Sequence, residues 1–492
     1  MVVAGCVAQT ADPPSTADSP TTVLPPPTTL GRPVSACRPA LGVLPTVVGD
    51  DPTLVGLQLS AQIFGCPTDV VVTEPGDSAR TQQASALAIS LSAPLLVYPG
   101  SATPEFLAEL KRLDPIRIHI AGQARLVREL APYAQVTGVV LRFPEHPIPP
   151  NAGSGDRLPV WLVPGGDAEL TAVLAAAAAA TNAELVPVEG DLRASEEARR
   201  LLFGNERPAA MVGDWPSEAG WQLGVVRKAE ELPGGGLLMF PGRRLVSFYG
   251  TPGTASLGVL GEQGPEATIG RLRPIGAEYE ADGTPVVPTF EIIATVASSK
   301  AGADADYSDE IDIDYVRPWI DLARQEGLYV VLDLQPGRTD FLTQAQRYEE
   351  LLKEPHVGLA LDPEWRLRPD QVHLRQIGSV DAAEVNTVVE WLAALVRDNS
   401  LPQKLLIVHQ FNLMMITHRT EILTPSELAV VIQMDGQGPI GSKYGTYEAI
   451  TAGVLDEGWN WGWKNFYDED SPTATPAQVL DLEPVPVFVS YQ

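Results

Sequence analysis

Eight short apolar segments recur between Leu237 and Gln492, and helical patterns lie between them. Continuous runs of β-branched and apolar residues are typical of strands that are buried on both faces. The predicted strands are Leu245–Tyr249, Pro288–Val296, Leu328–Leu334, Val357–Leu361, Lys404–Gln410, Leu428–Met434, Trp461–Tyr467 and Pro486–Tyr491. The helical patterns between them include Asp309–Glu326 and Asp340–Lys353. Eight strands alternating with helices over roughly 250 residues predict a (β/α)8 TIM barrel.

An open, doubly wound sheet is the alternative for this half of the chain. Such a sheet usually carries a glycine-rich phosphate turn after its first strand. Here the first strand leads into Tyr249-Gly250-Thr251-Pro252-Gly253, where the proline removes an N–H that a phosphate would need. The barrel is therefore the favoured fold.

The first half of the chain alternates apolar runs with helical patterns in the same β-then-α order, which predicts a parallel α/β sandwich domain. A Pro-Gly-Gly-Gly sequence at Pro233 marks a turn before the barrel. The predicted organisation is a start and tether over 1–50, an α/β domain over 51–215, a linker over 216–240 and the barrel over 241–492.

Charge limits the partners of this 492-residue chain. Lys and Arg number 34 against 62 Asp and Glu, so the formal net charge is -28. No basic surface for nucleic acid or for anionic lipid is expected from this balance. The three cysteines, Cys6, Cys37 and Cys66, do not stand in zinc-ligand spacing with histidine, although Cys37 and Cys66 can form a disulfide in an oxidising compartment.

The start of the chain predicts a membrane anchor. Val3-Ala4-Gly5-Cys6 resembles a bacterial lipobox, in which the cysteine becomes lipidated, and the Pro-, Thr- and Ser-rich segment from Ala8 to Leu30 is typical of an extended tether. An ordinary buried cysteine is the alternative. The resemblance to actinobacterial-type surface lipoproteins implies lipidation at Cys6 and an extracellular location, lipid-anchored or wall-associated.

Residues 69–122 carry a second resemblance. They include Val71-Val72-Thr73, Ala93-Pro94-Leu95-Leu96 and Ile118-His119-Ile120-Ala121-Gly122. This segment resembles the second type of cell-wall-binding repeat of Gram-positive surface proteins, with Ser85-Ala86-Leu87 where that family usually has Asp-Ala-Leu. The resemblance implies binding to the cell wall, and a scaffold of the same fold without that function is the alternative.

Polar residues end several predicted barrel strands, where catalytic groups of such barrels lie. The sharpest pair is Asp362 and Glu364, which i, i+2 spacing on a strand would place on one face. Two carboxyl groups can divide the work of glycoside hydrolysis when one holds a proton and the other stays ionised. Asp-x-Glu followed by the aromatic Trp365 resembles the catalytic strand of TIM-barrel glycosidases, which implies action on a polysaccharide.

We expect Glu364 to donate the proton, Asp362 to stay ionised as base or nucleophile, and Asp435 to assist as a third catalytic carboxylate. A wider group is predicted to contact substrate: Tyr249, Asp333, Trp365, His409, Gln433, Lys464 and Tyr467. The alternative is that these groups have structural roles, in which they cap turns and form hydrogen bonds at the strand ends. A non-catalytic carbohydrate-binding protein would be compatible with those roles.

No cofactor and no metal centre are predicted. The acidic run from Asp304 to Asp314 lacks EF-hand spacing, because Asp309 and Tyr315 occupy the positions that need glycine and glutamate. We expect a solvated acidic cluster at a helix N-terminus. The first strand supplies no histidine pair for a metal-dependent hydrolase, and Gly-x-Ser-x-Gly is absent.

Overall fold

The computed structural model of the chain describes residues 39–133, 135–138, 158–454 and 458–492. Its first part contains two parallel sheets, with strand orders β2-β1-β3-β4 and β6-β5-β7. These strands are β1 Asp69–Thr73, β2 Leu95–Val97, β3 Arg117–Ala121, β4 Gln135–Gly138, β5 Val160–Pro164, β6 Glu184–Val188 and β7 Ala209–Met211. The helices are α1 Pro52–Ile63, α2 Ser78–Leu91, α3 Pro104–Leu113, α4 Ala124–Leu130, α5 Ala168–Thr181, α6 Glu196–Leu202 and α7 Ala219–Lys228.

Helix α5 packs between the two sheets. Its alanine-rich surface allows close approach to α2, where the Ser85 hydroxyl donates to the Ala172 carbonyl at 2.6 Å. Trp161 and Val163 of the second sheet share one apolar core with Val70 to Val72 of the first. Cys66 is disulfide-bonded, while Cys6 and Cys37 lie outside the described residues.

The second part is a closed barrel of eight parallel strands in the order β8-β9-β11-β12-β14-β16-β17-β18, and pairing of β8 with β9 completes the ring. Its strands are β8 Arg244–Gly250, β9 Val286–Ala297, β11 Tyr329–Leu334, β12 Val357–Leu361, β14 Lys404–His409, β16 Leu428–Met434, β17 Asn460–Asn465 and β18 Phe488–Tyr491. The short strands are β10 Ser308–Glu310, β13 Val380–Asp381 and β15 Ile416–Thr417. The predicted barrel is confirmed.

The outer helices are α8 Pro265–Glu278, α9 Ile313–Glu326, α10 Phe341–Arg347, α11 Glu349–Leu352, α12 Ala382–Asp398, α13 Ile440–Thr451 and α14 Pro476–Leu480. Short polar side chains begin several of them. Asp312 caps α9 by accepting from the N–H of Asp314, and Asp381 caps α12 by accepting from Ala383. The outward faces of the barrel strands pack against these helices in the largest apolar core.

Alternate strand residues point to the barrel axis and form layers. The layer at the N-terminal end of the strands is apolar and includes Leu245, Val331 and Ile407. Leu232 and Met239, which precede the first barrel strand, are buried in the same cluster. We call these buried residues the barrel floor. The opposite end of the interior, which we call the mouth, is polar.

The range 216–240, predicted as a linker, has a more definite structure. It contains the whole of α7, Ala219–Lys228, and Leu237 is buried in an apolar core with Val160 and Leu162. The segment between the two parts of the chain therefore packs against both.

Two predicted helices of the barrel differ from those observed. The helix predicted from Asp309 begins at Ile313, because Ser308–Glu310 pairs antiparallel with β9. The helix predicted over 340–353 breaks at Tyr348, whose buried hydroxyl donates to the carbonyls of Ala294 at 2.6 Å and Ile311 at 2.9 Å. None of the described helices is long and apolar enough to cross a membrane.

Candidate active site

Five polar side chains from five neighbouring strands converge in the barrel mouth. Glu291 lies within β9, Asp333 within β11 and His409 at the end of β14, while Asp362 follows β12 and Asp435 follows β16. All five are buried, with relative exposures between 0% and 6%. Burying so many ionisable groups is costly unless they pair with one another or with a ligand, so this cluster is the candidate site.

His409 holds the centre of the cluster. Its Nδ1 lies 3.0 Å from Asp435 Oδ2 in a hydrogen bond. Its Nε2 lies 3.1 Å from Glu291 Oε1 and 3.8 Å from Asp333 Oδ1. Nε2 has no hydrogen-bond partner of suitable geometry among the described residues, so its contacts with Glu291 and Asp333 are ion pairs. Burial opposes the charged imidazole, but the facing carboxylates of Asp435 and Glu291 outweigh it and raise the pKa of His409 well above its usual value. A doubly protonated ring follows from this arrangement.

Tyr249 and Lys464 form the opposite wall of the mouth. The Tyr249 hydroxyl donates to Asp333 Oδ2 at 2.9 Å and accepts from Gln335 Nε2 at 3.1 Å. Lys464 places its ammonium 3.4 Å from the centroid of the Tyr249 ring, a cation–π contact. Burial, followed by the charges of Asp333 and Asp362, raises the pKa of Tyr249 well above its usual value, so the phenol remains a hydrogen-bond donor.

Asp362 and Glu364 come together through a turn. The predicted i, i+2 strand geometry is wrong, because β12 ends at Leu361 and Pro363–Trp365 forms a single turn of 3-10 helix. Gly378 packs behind this turn, and its N–H donates to the Glu364 carbonyl at 2.7 Å. The turn leaves Asp362 fully buried and Glu364 partly exposed at the edge of the mouth.

Both carboxyl groups of this pair favour the protonated form. Burial, then the charge of Asp435, raises the pKa of Glu364 to about 7. Burial, then the charge of Glu364, raises the pKa of Asp362 well above its usual value. The expectation that Asp362 simply stays ionised is therefore not supported, because its Oδ1 is buried without a hydrogen-bond partner in the part of the chain that the structure describes. The two groups compete for a proton.

The pKa of Asp333 is also raised. Burial raises its pKa to about 6, and Glu291 adds to the rise while His409 opposes it. The mouth thus holds an excess of carboxyl groups over cations, and its protonation is set by the whole cluster rather than by single residues.

The remaining residues predicted to contact substrate occupy different places in the barrel. Gln433 is buried in the barrel interior and donates to the Ser490 hydroxyl at 2.6 Å. Trp365 is partly buried in the turn beside Glu364. Tyr467 does not join the mouth, because its ring stacks on Tyr491 at 5.4 Å and is 42% exposed. Cys6 lies outside the described residues.

Two described clusters have donor atoms close enough for a cation. Single ligand atoms of Asp362, His409 and Asp435 lie within 4.8 Å of one another. In this cluster both nitrogens of the histidine already face carboxylates, which accounts for the arrangement without a metal. Asp304, Asp306 and Glu310 form the other cluster. The expectation that this second group is solvated is wrong for Asp306, which is buried and accepts from the Ser308 N–H at 2.8 Å.

Glu291 was not predicted as a site residue. It lies in the middle of β9, whereas the predicted site residues lie at or beyond strand ends. Its signal was present in Phe290-Glu291-Ile292, where one acid interrupts a run of apolar residues. A buried acid in a central barrel strand needs a partner, and that rule alone would have identified it.

Comparison of the chain with models of known families, with curated proteins and with solved structures finds no match. The candidate function therefore depends on the chemistry of the mouth.

Proposed function

We propose that the barrel hydrolyses glycosidic bonds in a cell-wall or other extracellular polysaccharide. The observation that carries this proposal is the pair formed by Asp362 and Glu364 at the C-terminal end of the barrel. Burial raises both pKa values, and the charge of Asp435 adds to the rise at Glu364 as the charge of Glu364 does at Asp362. A carboxyl group that keeps its proton near neutral pH can protonate a glycosidic oxygen. A second carboxylate can then act as base or nucleophile.

Glu364 is the proton donor in this mechanism because it lies at the open edge of the mouth, where a leaving group can reach it. Once Glu364 holds the shared proton, its charge no longer adds to the effect of burial, which is the larger cause of the raised pKa of Asp362. Lys464 and His409 lower the pKa of Glu364, so they limit the rise to the range in which the acid can still give up its proton. The positive charge that develops on the sugar would then favour ionisation of Asp362, and the resulting carboxylate would stabilise that charge.

The surrounding groups would bind the sugar. Asp435 and Asp333 offer acceptors for sugar hydroxyls, whereas Lys464 is a donor. Asp333 Oδ1 and Asp435 Oδ1 are buried without hydrogen-bond partners among the described residues. Gln433 Oε1 is a third buried acceptor without a hydrogen-bond partner among those residues. Such acceptors are compatible with a substrate rich in hydroxyl groups.

The rest of the chain would place this activity outside the cell. Lipidation at Cys6 and the Pro-rich tether within 1–50 would hold the protein at the outer face of the cytoplasmic membrane. The two parallel sheets of the first part would form the α/β sandwich of a cell-wall-binding module. Both assignments come from the sequence resemblances, and mass spectrometry of Cys6 in the natively expressed protein tests the first.

The alternative is a carbohydrate-binding surface protein without catalysis. The convergence of Asp362 and Asp435, whose ligand atoms lie within 4.8 Å of each other, favours an enzyme over that alternative, because scattered and solvated acids would suffice for binding. A metal-dependent hydrolase is the second candidate: Asp362, His409 and Asp435 have ligand atoms close enough for a cation, but His409 would first have to lose a proton. Dialysis against EDTA separates the two mechanisms, since acid/base catalysis by carboxyl groups should survive it.

A screen against wall polysaccharides and chitin-like oligomers tests the proposal. On any glycan that is cleaved, Glu364→Gln and Asp362→Asn should each lower kcat by at least about 10²-fold, the usual contribution of general acid or base catalysis. Glu390→Gln is the matched control, because Glu390 is exposed on α12. Activity within a factor of about two of wild type for both mouth variants would overturn the proposed chemistry.

A further inference from the structure

A separate pocket adjoins the candidate acid on the solvent side of the barrel mouth. It has a volume of about 330 Å³ and is lined by Glu364, Trp365 and residues 373–377. This pocket belongs to the loop after β12 and not to the cluster around His409. Glu364 therefore lies at the border between the mouth and a second, smaller space.

The loop presents apolar side chains to solvent at the rim of this pocket. Leu374 is 87% exposed and Ile377 is 51% exposed. Leu374 also has a φ of 63°, in the left-handed region that a branched side chain rarely adopts. A strained backbone that displays an apolar side chain is not explained by folding, since exposure yields no burial in return. A ligand that covers Leu374 would account for both features.

The inner wall of the pocket is aromatic and held in place. Trp365 packs edge-on against His373, with ring centroids 5.3 Å apart. His373 is fixed in turn by a 2.9 Å hydrogen bond from Nε2 to the Tyr307 carbonyl. Gln376 is anchored by donating to the Val372 carbonyl at 2.7 Å. Aromatic and aliphatic surfaces with a few fixed polar groups are the usual lining of a site for a sugar ring, whose C–H face is apolar.

We propose that this pocket is the leaving-group subsite, which binds the sugar ring that departs when the glycosidic bond breaks. The inference rests on the proposed function. A general acid protonates the oxygen that leaves with that ring, so the pocket that Glu364 itself lines is the one the ring enters. Asp362, buried toward the barrel axis, faces the other sugar, whose anomeric carbon is attacked. Water is the second reactant, and its proton passes to the base while the acid proton goes to the leaving oxygen.

The test compares two substrates that share the attacked sugar and differ in the leaving group. One is an oligosaccharide of whichever glycan the screen identifies, and the other is the corresponding 4-nitrophenyl glycoside. The ratio of kcat/KM for the oligosaccharide to kcat/KM for the aryl glycoside should fall about tenfold in Leu374→Gly, the change expected when an apolar contact of roughly one side chain is lost. Glycine suits the left-handed backbone at this position, so the variant should fold.

Leu41→Gly is the control, because Leu41 is also highly exposed, at 75%, and lies in the first part of the chain. It should leave the ratio at the wild-type value. A ratio that is unchanged in Leu374→Gly, with the oligosaccharide and the aryl glycoside cleaved, would overturn the subsite and leave the proposed function standing.

A binding measurement covers the case in which the wild type cleaves nothing. Saturation-transfer NMR with chitotetraose and with a soluble peptidoglycan digest would then report contact directly. Binding that is lost in Trp365→Ala and kept in Leu41→Gly would retain the pocket as a sugar site while rejecting hydrolysis. Absence of binding to both probes would overturn the pocket and the function together.

Discussion

At the scale of single residues, Glu364 makes the clearest prediction about pH. A general acid works only while protonated, and the pKa of Glu364 is raised to about 7 by burial and by Asp435. We therefore expect kcat/KM to fall as pH rises above about 7. A fall that persists unchanged in the residual activity of Glu364→Gln would assign this limb of the profile to another group.

The same group makes a prediction about stability. Because the folded pKa of about 7 lies above the ordinary value of 4.5, the folded state binds more protons than the unfolded state between these pH values, and stability is lost as pH rises through that window. Glu364→Gln removes the ionisable group. It should raise Tm relative to wild type at pH 8 and should differ little at pH 4.5. An equal shift at both pH values would show that ionisation is not the cause.

Glu291 provides an independent test of the charged histidine. Glu291→Gln removes one of the carboxylates that face His409, so the pKa of His409 should fall while Asp435 still holds it above its usual value. Nitrogen shifts of the imidazole, measured by NMR over pH 5 to 9, report this directly. His356 serves as an internal reference because burial lowers its pKa. A neutral His409 ring at pH 7 in the wild type would contradict the ion-pair arrangement.

Most of the mouth could be predicted at this scale, and the failures have identifiable causes. Asp333, Asp362 and His409 were found because a polar residue at the end of an apolar run needs a partner. Glu291 was missed because it lies inside its strand. Tyr467 was predicted as a substrate contact but follows β17 with its side chain on the outer surface, against Tyr491. Successive residues of a strand point to opposite faces, so an error of one residue in the predicted orientation places the side chain on the outer surface instead of in the mouth.

At the scale of elements, the barrel strands were predictable and the turns were not. Each predicted barrel strand lies within two residues of its observed bounds, because burial on both faces gives a strong and continuous apolar signal. The turn at Pro363–Trp365 depends on contacts with Gly378, which is 14 residues further along the chain. Contacts of this kind leave no local pattern in the sequence.

Gly378 therefore makes a prediction at this scale. A Cβ atom there would lie 2.5 Å from the Glu364 carbonyl oxygen and 2.6 Å from that of Arg366. Gly378→Ala must displace the turn that carries the candidate acid, so kcat should fall by about tenfold or more, in line with the cost of misplacing a catalytic group. Crystallography of the variant would show the displacement.

The control is Gly441→Ala, in which the added methyl group meets no atom within 4 Å. Gly441 is the second residue of α13, so alanine is tolerated there and should leave kcat unchanged. Full activity in Gly378→Ala would mean that the turn tolerates the methyl group and that Glu364 is not positioned by it.

At the scale of the whole molecule, the segment between α7 and β8 joins two cores. Leu237 packs into the core with Val160, whereas Leu232 and Met239 pack into the barrel floor. Composition suggested a linker because Gly234, Gly235 and Gly236 lie together, and all three have positive φ. The glycines provide a tight turn, and the apolar residues on either side of it are buried. A glycine run alone therefore does not indicate a free connection.

The barrel floor and the mouth should respond independently to substitution. Met239 is 1% exposed among floor residues such as Leu245 and Val331, so Met239→Ala leaves a cavity there and should lower the free energy of unfolding by about 2–5 kcal/mol. The reacting groups lie at the opposite end of the strands, so kcat measured well below Tm should stay within about twofold of wild type. Leu238→Ala is the matched control. Leu238 precedes Met239 and its side chain is only partly buried, so this substitution should lower the free energy of unfolding by less. Urea unfolding beside an activity assay gives both quantities, and a large fall in kcat with unchanged stability in Met239→Ala would show that the floor and the mouth are coupled.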